Sequence, residues 1–144
     1  MKRPFFTLLA MAILMTSNVQ AGSVPTLPSC PVSPNCVSSQ ATDSHRIEPF
    51  KVTENSALVF EKLRKLLVGR SDTTVISTDD TTIRVEFRTI LGFVDDGLFV
   101  LDSASGLIHI RSAARFGYWD LGKNRSRMEE IRQSFYSAQA RSRK

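Results

Sequence analysis

The stretch Thr82-Ile-Arg-Val-Glu-Phe-Arg-Thr89 alternates apolar and charged side chains with a period of two residues. Successive side chains of a β-strand point to opposite sides, so Ile83, Val85 and Phe87 would share one face. Such a strand has one buried and one polar side. The pattern therefore predicts an antiparallel sheet that is covered on one face only.

Further strands are predicted on both sides of this stretch. Residues 74–78 form a β-branched run, and residues 107–112, which follow a turn at residues 103–106, form the last strand. Between them, residues 93–94 and 98–101 indicate one more strand or a broken pair. The connections are too short to hold crossover helices, which favours antiparallel pairing.

Two segments have the three-and-four-residue spacing that is typical of an amphipathic helix. The first covers residues 56–68, with Thr53 or Asn55 as its cap and Gly69 as its stop, and the second follows Asn124, which is predicted to be its cap. Their apolar faces consist of Val59, Leu63, Leu66 and Leu67 with Phe60 beside them, and of Met128, Ile131 and Phe135. We expect an α+β domain with a small antiparallel sheet of about four strands and two helices packed on one face.

The first 21 residues are predicted to be a signal peptide. A positive start, residues 1–4, precedes an apolar run of eleven residues from Phe5 to Met15 that only Thr7 interrupts. Val19-Gln20-Ala21 then supplies slender residues before a cleavage site between Ala21 and Gly22. A spanning helix needs about 20 apolar residues. We therefore expect cleavage, export to the periplasm, and no membrane span in the mature chain.

Cys30 and Cys36 are predicted to form a local disulfide. Five residues separate them, whereas a Cys-x-x-Cys redox catalyst needs two, and export places them in an oxidising compartment. Metal binding is less favoured, because no ligand spacing recurs. Residues 22–42 are rich in Ser, Pro and Thr and read as a loosely packed arm held by the disulfide turn. The single packed domain is expected over residues 43–144.

The charge of the chain is modest. The formal value of +5 falls to +3 once Lys2 and Arg3 are removed with the signal peptide. This small charge, together with export, disfavours nucleic acid as a partner. The region 123–144 is strongly basic. Such a tail can favour lipid headgroups, although solvation of a terminal helix is the interpretation we rank first.

Three stretches together resemble the family catalogued as domain of unknown function 1499, which occurs in bacterial envelope proteins and in organelle proteins of photosynthetic eukaryotes. The stretches are Cys30-Pro-Val-Ser-Pro-Asn-Cys-Val-Ser-Ser39 with Asp43, His45, Ile47 and Pro49, then Phe93-Val-Asp-Asp96, and Arg111-Ser-Ala-Ala-Arg-Phe-Gly-Tyr-Trp-Asp-Leu-Gly-Lys-Asn-Arg-Ser-Arg127. After the paired aspartates the family usually has an apolar residue, an acid and an aromatic, whereas this chain has Gly97-Leu98-Phe99. The resemblance implies a domain boundary and a fold, and brings no reaction, substrate or cofactor.

The third stretch contains a candidate anion receptor. Guanidinium groups near a helix start, where backbone N–H groups are unpaired, can bind a phosphate, carboxylate or sulfated group. The proposed ligands are Arg111, Arg115, Asn124 and Arg125. The alternative, which we favour, is an internal ion-pair network in which Asp95, Asp96 and Asp120 neutralise these arginines.

An acid/base set is a second possibility. His45 with Asp95 and Asp96 could serve a small hydrolase, because hydrolysis needs a proton acceptor and a polarising partner. The chain has no nucleophile elbow, and Ser38 and Ser39 read as turn residues. A structural, hydrogen-bonded His45 is the favoured interpretation.

The burial of His109 and of the aromatic residues after it is predicted from their neighbours in the sequence. His109 alternates with isoleucines and is expected to face solvent. Of Phe116, Tyr118 and Trp119, at least two are expected to be buried under the last helix. These observations favour a non-catalytic envelope module without metal or cofactor. Its expected partner is an anionic small molecule, a lipid headgroup or an envelope protein, and the hydrolase is the alternative.

Overall fold

The alternating stretch is a strand near one edge of an open antiparallel sheet. In a computed structural model, which describes residues 24–142, the sheet has six strands in the order β1-β6-β5-β4-β3, and β2 pairs with β6 on the same edge as β1. The elements are β1 (Cys36–Ser38), β2 (Phe50–Lys51), α1 (Ser56–Val68), β3 (Thr73–Thr78), β4 (Thr82–Arg88), β5 (Val94–Asp102), β6 (Leu107–Ala114) and α2 (Lys123–Ser142). The α+β class is confirmed, and the sheet has two more strands than predicted.

The two additional strands are short. β1 has three residues and β2 has two, so neither is long enough to display a period. Both are strands because they pair with β6, where Cys36 lies opposite Ala113 and Phe50 lies opposite Ile108. β1 lies within the Ser/Pro-rich arm, so this part of the arm belongs to the sheet.

The core lies on the face of the sheet that both helices cover. Ile83, Phe99 and Ile110 stand side by side on β4, β5 and β6 in that register and are fully buried. Against them pack α1 and α2 with the residues that the helical spacing predicted: Val59, Phe60, Leu63, Leu67, Met128, Ile131 and Phe135. The prediction of two helices over one face is confirmed because both contribute to this single cluster.

Strand β5 runs without a break through Gly97. A Cβ atom at this position would lie 2.4 Å from Cε2 of Phe87 and 2.5 Å from Cγ2 of Val85. The glycine therefore lets the Phe87 ring and Val85 pack against the backbone of β5. Asp95 and Asp96 stay in register with Phe87 and Glu86 of β4. Residues 93–94 and 98–101 are thus parts of one strand.

Each helix begins where a nearby side chain accepts a hydrogen bond from a backbone N–H group of its first turn. The side chain of Asn55 accepts a hydrogen bond from the Leu58 N–H at 3.2 Å, and α1 ends at Gly69. For α2, the acceptor is Asp120, whose carboxylate accepts the N–H of Asn124 at 2.8 Å. Asn124 lies inside the first turn, so its predicted role as the cap is wrong.

The predicted disulfide between Cys30 and Cys36 is present. The arm before it is attached to the domain, because Leu27 is buried and its N–H donates to the side chain of Gln40 at 2.7 Å. The predicted signal peptide lies outside the described residues. None of the helices within residues 24–142 has the length and apolar character that crossing a membrane requires.

Candidate functional site

A buried ion pair anchors the segment that follows β6. Nη1 of Arg127, in the first turns of α2, donates to Oδ2 of Asp95 on β5 at 2.8 Å, and both side chains are almost fully buried. The guanidinium carbon also lies 4.7 Å from the centre of the Phe87 ring. Asp95 faces the helices because it shares its side of β5 with Phe99. The pair therefore joins α2 to the centre of the sheet.

Asn124 is the centre of a second buried network. Its Nδ2 donates to the Asn35 carbonyl at 3.2 Å and to Asp120 at 2.8 Å, and its Oδ1 accepts from the Ser112 hydroxyl. Asn124 is fully buried. It connects the disulfide turn, β6 and α2, and its polar groups are used within the protein.

Arg115 is held by two carboxylates on the open face of the sheet. Its Nη2 donates to Asp96 at 2.7 Å and also lies in an ion pair with Glu86, while Nε donates to Asp96 at 3.0 Å. Hydrogen bonds to Asp96 and then to Glu86 raise the pKa of Arg115 above its usual range. The guanidinium of Arg115 is therefore bound by Glu86 of β4 and Asp96 of β5.

Arg125 and Arg111 make weaker contacts. Arg125 donates to the carbonyls of Arg46 and Ser44 at 2.8 and 2.9 Å. Arg111 donates to the Ser29 carbonyl at 3.3 Å, and its buried Nε has no hydrogen-bond partner within the described part of the chain. Burial lowers the pKa of Arg111. Of the four proposed anion ligands, Arg111 is thus the one with an unused buried donor.

The loop between β6 and α2 exposes its aromatic side chains. The exposed fractions of Phe116, Tyr118 and Trp119 are 77, 71 and 67 %. The prediction that at least two of them are buried is therefore wrong. Gly117, Leu121 and Gly122 have φ values of +85°, +55° and +74°, so the backbone of this loop reverses direction at positions that no side-chain pattern indicates.

Three segments lie together at the end of the sheet where β5 begins and β6 ends. The Arg115 N–H donates to the Val94 carbonyl at 3.2 Å, which places the loop 115–122 beside the turn 89–93. The Asn35 amide donates to the Gly117 carbonyl, which adds the disulfide turn. Of the thirteen large apolar residues exposed within residues 24–142, eight belong to these segments, which we call the apolar tip: Val32, Ile90, Leu91, Phe93, Phe116, Tyr118, Trp119 and Leu121.

The structure does not bring His45, Asp95 and Asp96 together. His45 donates from Nδ1 to Asp43 at 2.9 Å and from Nε2 to the Ser33 carbonyl at 3.1 Å. The hydrogen bond to Asp43, followed by that to Ser33, raises the pKa of His45. Because both ring nitrogens face acceptors, the imidazolium is favoured, and neither nitrogen is free to accept a proton.

A Ser-His-Asp set that the sequence did not reveal lies near β6. The Ser39 hydroxyl accepts the Ile110 N–H at 3.0 Å and lies 3.3 Å from Nδ1 of His109, whose Nε2 is 4.0 Å from Asp102. All three polar side chains are buried, so the expected exposure of His109 is wrong. Burial lowers the pKa of His109. Since Ser39 is only 4 % exposed, a substrate has no access to its oxygen.

Two open grooves of about 690 and 740 Å³ follow α2, and neither is lined by a residue of the apolar tip. Within residues 24–142, no three His, Cys, Asp or Glu side chains are arranged to hold a metal ion.

The fold and the tip define a small α+β protein with a half-covered antiparallel sheet and an exposed apolar end. Residues 26–135 match the model of the family described as "Protein of unknown function (DUF1499)". The chain belongs to this family, which confirms the resemblance seen in its three stretches. Searches of curated proteins and of solved structures with this chain found no match.

Proposed function

We propose that this chain is an exported, non-catalytic module of the cell envelope that binds its partner through the apolar tip. The observation that carries the proposal is the contrast in burial between residues of the stretch 111–127. Asn124 and Arg127 are buried and bonded to other parts of the protein, whereas Phe116, Tyr118 and Trp119 are exposed. Clustered exposed apolar side chains mark an interaction surface.

The underlying polar contacts support this role because they hold the loop 115–122 in one conformation. Arg115 is held at one end by Asp96, and Asp120 accepts two hydrogen bonds from Asn124 at the other. The Asn35 amide holds Gly117 between them. A surface ordered in advance loses less entropy when it binds. Arg115, Asp96 and Asp120 thus hold the loop of the apolar tip in place.

Export is the second part of the proposal. It is supported by the signal-peptide pattern of residues 1–21 and by the disulfide between Cys30 and Cys36, since such bonds persist in oxidising compartments. Fractionation of producing cells, with an intact mass of the exported protein, tests it. We expect the mature chain to start at Gly22, and an exported chain that starts at Met1 would contradict the proposal.

The binding role is tested with a photoreactive amino acid placed singly at position 119 in producing cells. The control places it at position 76, because Ile76 is also an exposed apolar residue but lies on β3. We expect envelope components, protein or lipid, to be crosslinked from position 119 and not from position 76. Equal yields at both positions would overturn the assignment of the tip.

A second candidate function, binding of an anion at Arg111, rests on one observation. The Nε of this half-buried guanidinium has no hydrogen-bond partner within residues 24–142. We expect phosphate to raise the melting temperature of the wild-type protein and not that of Arg111→Gln. Arg125→Gln is the matched control and should keep the phosphate effect. Equal phosphate-induced shifts in all three proteins would exclude this site.

A further inference from the structure

We infer that the partner of the apolar tip is the surface of an anionic lipid bilayer, into which its side chains insert. This inference rests on the function proposed above and names the partner. Three kinds of observation carry it: the shape of the tip, its composition, and the charges beside it.

The tip protrudes. Ile90 is as exposed as in an isolated peptide, at 105 %, and Leu91 next to it is 82 % exposed. Both lie in the turn between β4 and β5, and Leu121 in the neighbouring loop is 79 % exposed. A folded partner would need a concave surface to cover such projections, whereas the headgroup region of a bilayer accepts apolar side chains from several loops.

Its composition matches the interface between lipid and water. Trp119 and Tyr118 each combine an apolar ring with a polar group, and such residues are enriched at the level of the headgroups. Aliphatic side chains, among them Ile90 and Leu121, can reach deeper. Asp120 is the one carboxylate within residues 30–36, 89–93 and 115–122, and its oxygens accept hydrogen bonds from the loop and from Asn124.

Cations flank the tip on both sides. Arg88 precedes the turn 89–93, and Lys123 follows the loop 115–122. Both are exposed, and neither is in an ion pair within the described part of the chain. A cation near an anionic membrane surface strengthens binding by about fivefold. The charges beside the tip therefore favour anionic over neutral lipid.

The basic end of α2 is not part of this contact. α2 starts at the tip and has 20 residues. A helix of that length extends about 30 Å. Arg141 near its far end thus lies well away from the tip and is a matched control for Lys123, since both are exposed cations of the same helix.

Trp119 reports directly on insertion of the tip into a bilayer, because it is the only tryptophan of the chain. Protein from the exported fraction is mixed with vesicles of phosphatidylcholine, alone or with one third phosphatidylglycerol. We expect a blue shift of the Trp119 emission, quenching by brominated acyl chains, and co-sedimentation that is stronger with phosphatidylglycerol. No blue shift and no co-sedimentation with either vesicle would overturn the inference.

Variants that keep Trp119 show which surface binds. Ile90→Ser with Leu91→Ser should weaken vesicle binding about tenfold or more. Leu58→Ser with Ile76→Ser, which removes exposed apolar side chains elsewhere, should leave it unchanged. Lys123→Gln should cost about fivefold with anionic vesicles, and Arg141→Gln should cost little. Equal losses in tip and control variants would place the membrane contact elsewhere and overturn the inference.

Failure of the two proposals can be distinguished. If protein crosslinks form at position 119 while no vesicle is bound, the partner is a protein, and the bilayer inference alone is wrong. If position 119 gives no more crosslinking than position 76, the proposed function is wrong as well.

Discussion

Nη1 of Arg127 donates a hydrogen bond to Oδ2 of Asp95 at 2.8 Å across 32 residues of sequence, in a place where both side chains are shielded from water. The pair joins the start of α2 to the start of β5, and Phe87 packs against the guanidinium. The loop that carries the aromatic residues connects α2 to β6, the strand next to β5 in the sheet. Its position therefore depends on this ion pair.

Removing one partner should be costly. Arg127→Met leaves the Asp95 carboxylate buried without its cation, which should lower the free energy of unfolding by about 3–5 kcal/mol. Asp95→Leu combined with Arg127→Met should lose less than Arg127→Met alone, because no uncompensated charge remains. Urea denaturation measures all three proteins. A double variant that is less stable than the single one would contradict this account.

Gly97→Ala should destabilise the protein by about 1–3 kcal/mol, since the new methyl group would overlap Phe87 and Val85 in the core. Gly69→Ala is the control: the same methyl group there would meet its nearest atom at 3.5 Å, and φ is −76°. Its stability should change by less than about 0.5 kcal/mol. Thermal denaturation of the two variants tests the difference, and equal losses would argue against close packing at Gly97.

The two histidines should give opposite pH dependences. The pKa of His45 is raised by Asp43, so its contribution is present below the unfolded pKa near 6.5 and is lost as the pH rises through the folded pKa. His45→Asn should therefore cost most stability at acidic pH. The pKa of His109 is lowered by burial, so the unfolded chain takes up the proton first and stability falls below about pH 6.5.

His109→Gln should accordingly lose less stability, relative to the wild type, at pH 5.5 than at pH 8. Urea denaturation at a series of pH values measures the two variants against the wild type. Losses that do not vary with pH in either variant would mean that these imidazoles do not change protonation on unfolding.

Replacing Cys30 and Cys36 together by serine should lower the free energy of unfolding by about 2 kcal/mol, because the closed loop is short. The effect should extend to the tip, since Asn35 in this turn holds the Gly117 carbonyl. Hydrogen exchange should show faster opening in residues 115–122 and unchanged protection in β4. Unchanged exchange in the loop would mean that the turn does not support it.

Leu121 should show a conflict between stability and binding. Its φ of +55° is unfavourable for leucine and acceptable to asparagine, so Leu121→Asn should raise the free energy of unfolding by up to about 1 kcal/mol. The same change should weaken vesicle binding, because an apolar tip residue is lost. Leu91→Asn, the control, should weaken binding without the gain in stability. A destabilised Leu121→Asn would contradict the role of the backbone strain.

Local patterns were sufficient to predict much of the framework. The period of two in β4 and the three-and-four spacing of α1 depend on residues that are neighbours in the chain, and the structure confirms both elements, with α1 over the predicted residues 56–68. The family stretch from Arg111 to Arg127 was also evident from its residues alone. The signal peptide and export, which likewise rest on local pattern, stay predictions.

Tertiary structure decided which residues meet and which are exposed. β1 and β2 exist only because β6 offers them a free edge, and Arg127 pairs with Asp95 because the sheet register directs that carboxylate under α2. Aromatic residues usually gain by burial, which is why at least two of Phe116, Tyr118 and Trp119 are predicted to be buried. All three are exposed instead, on a loop whose backbone has positive φ values at Gly117 and Leu121, and no periodicity in the sequence reports a backbone reversal of that kind.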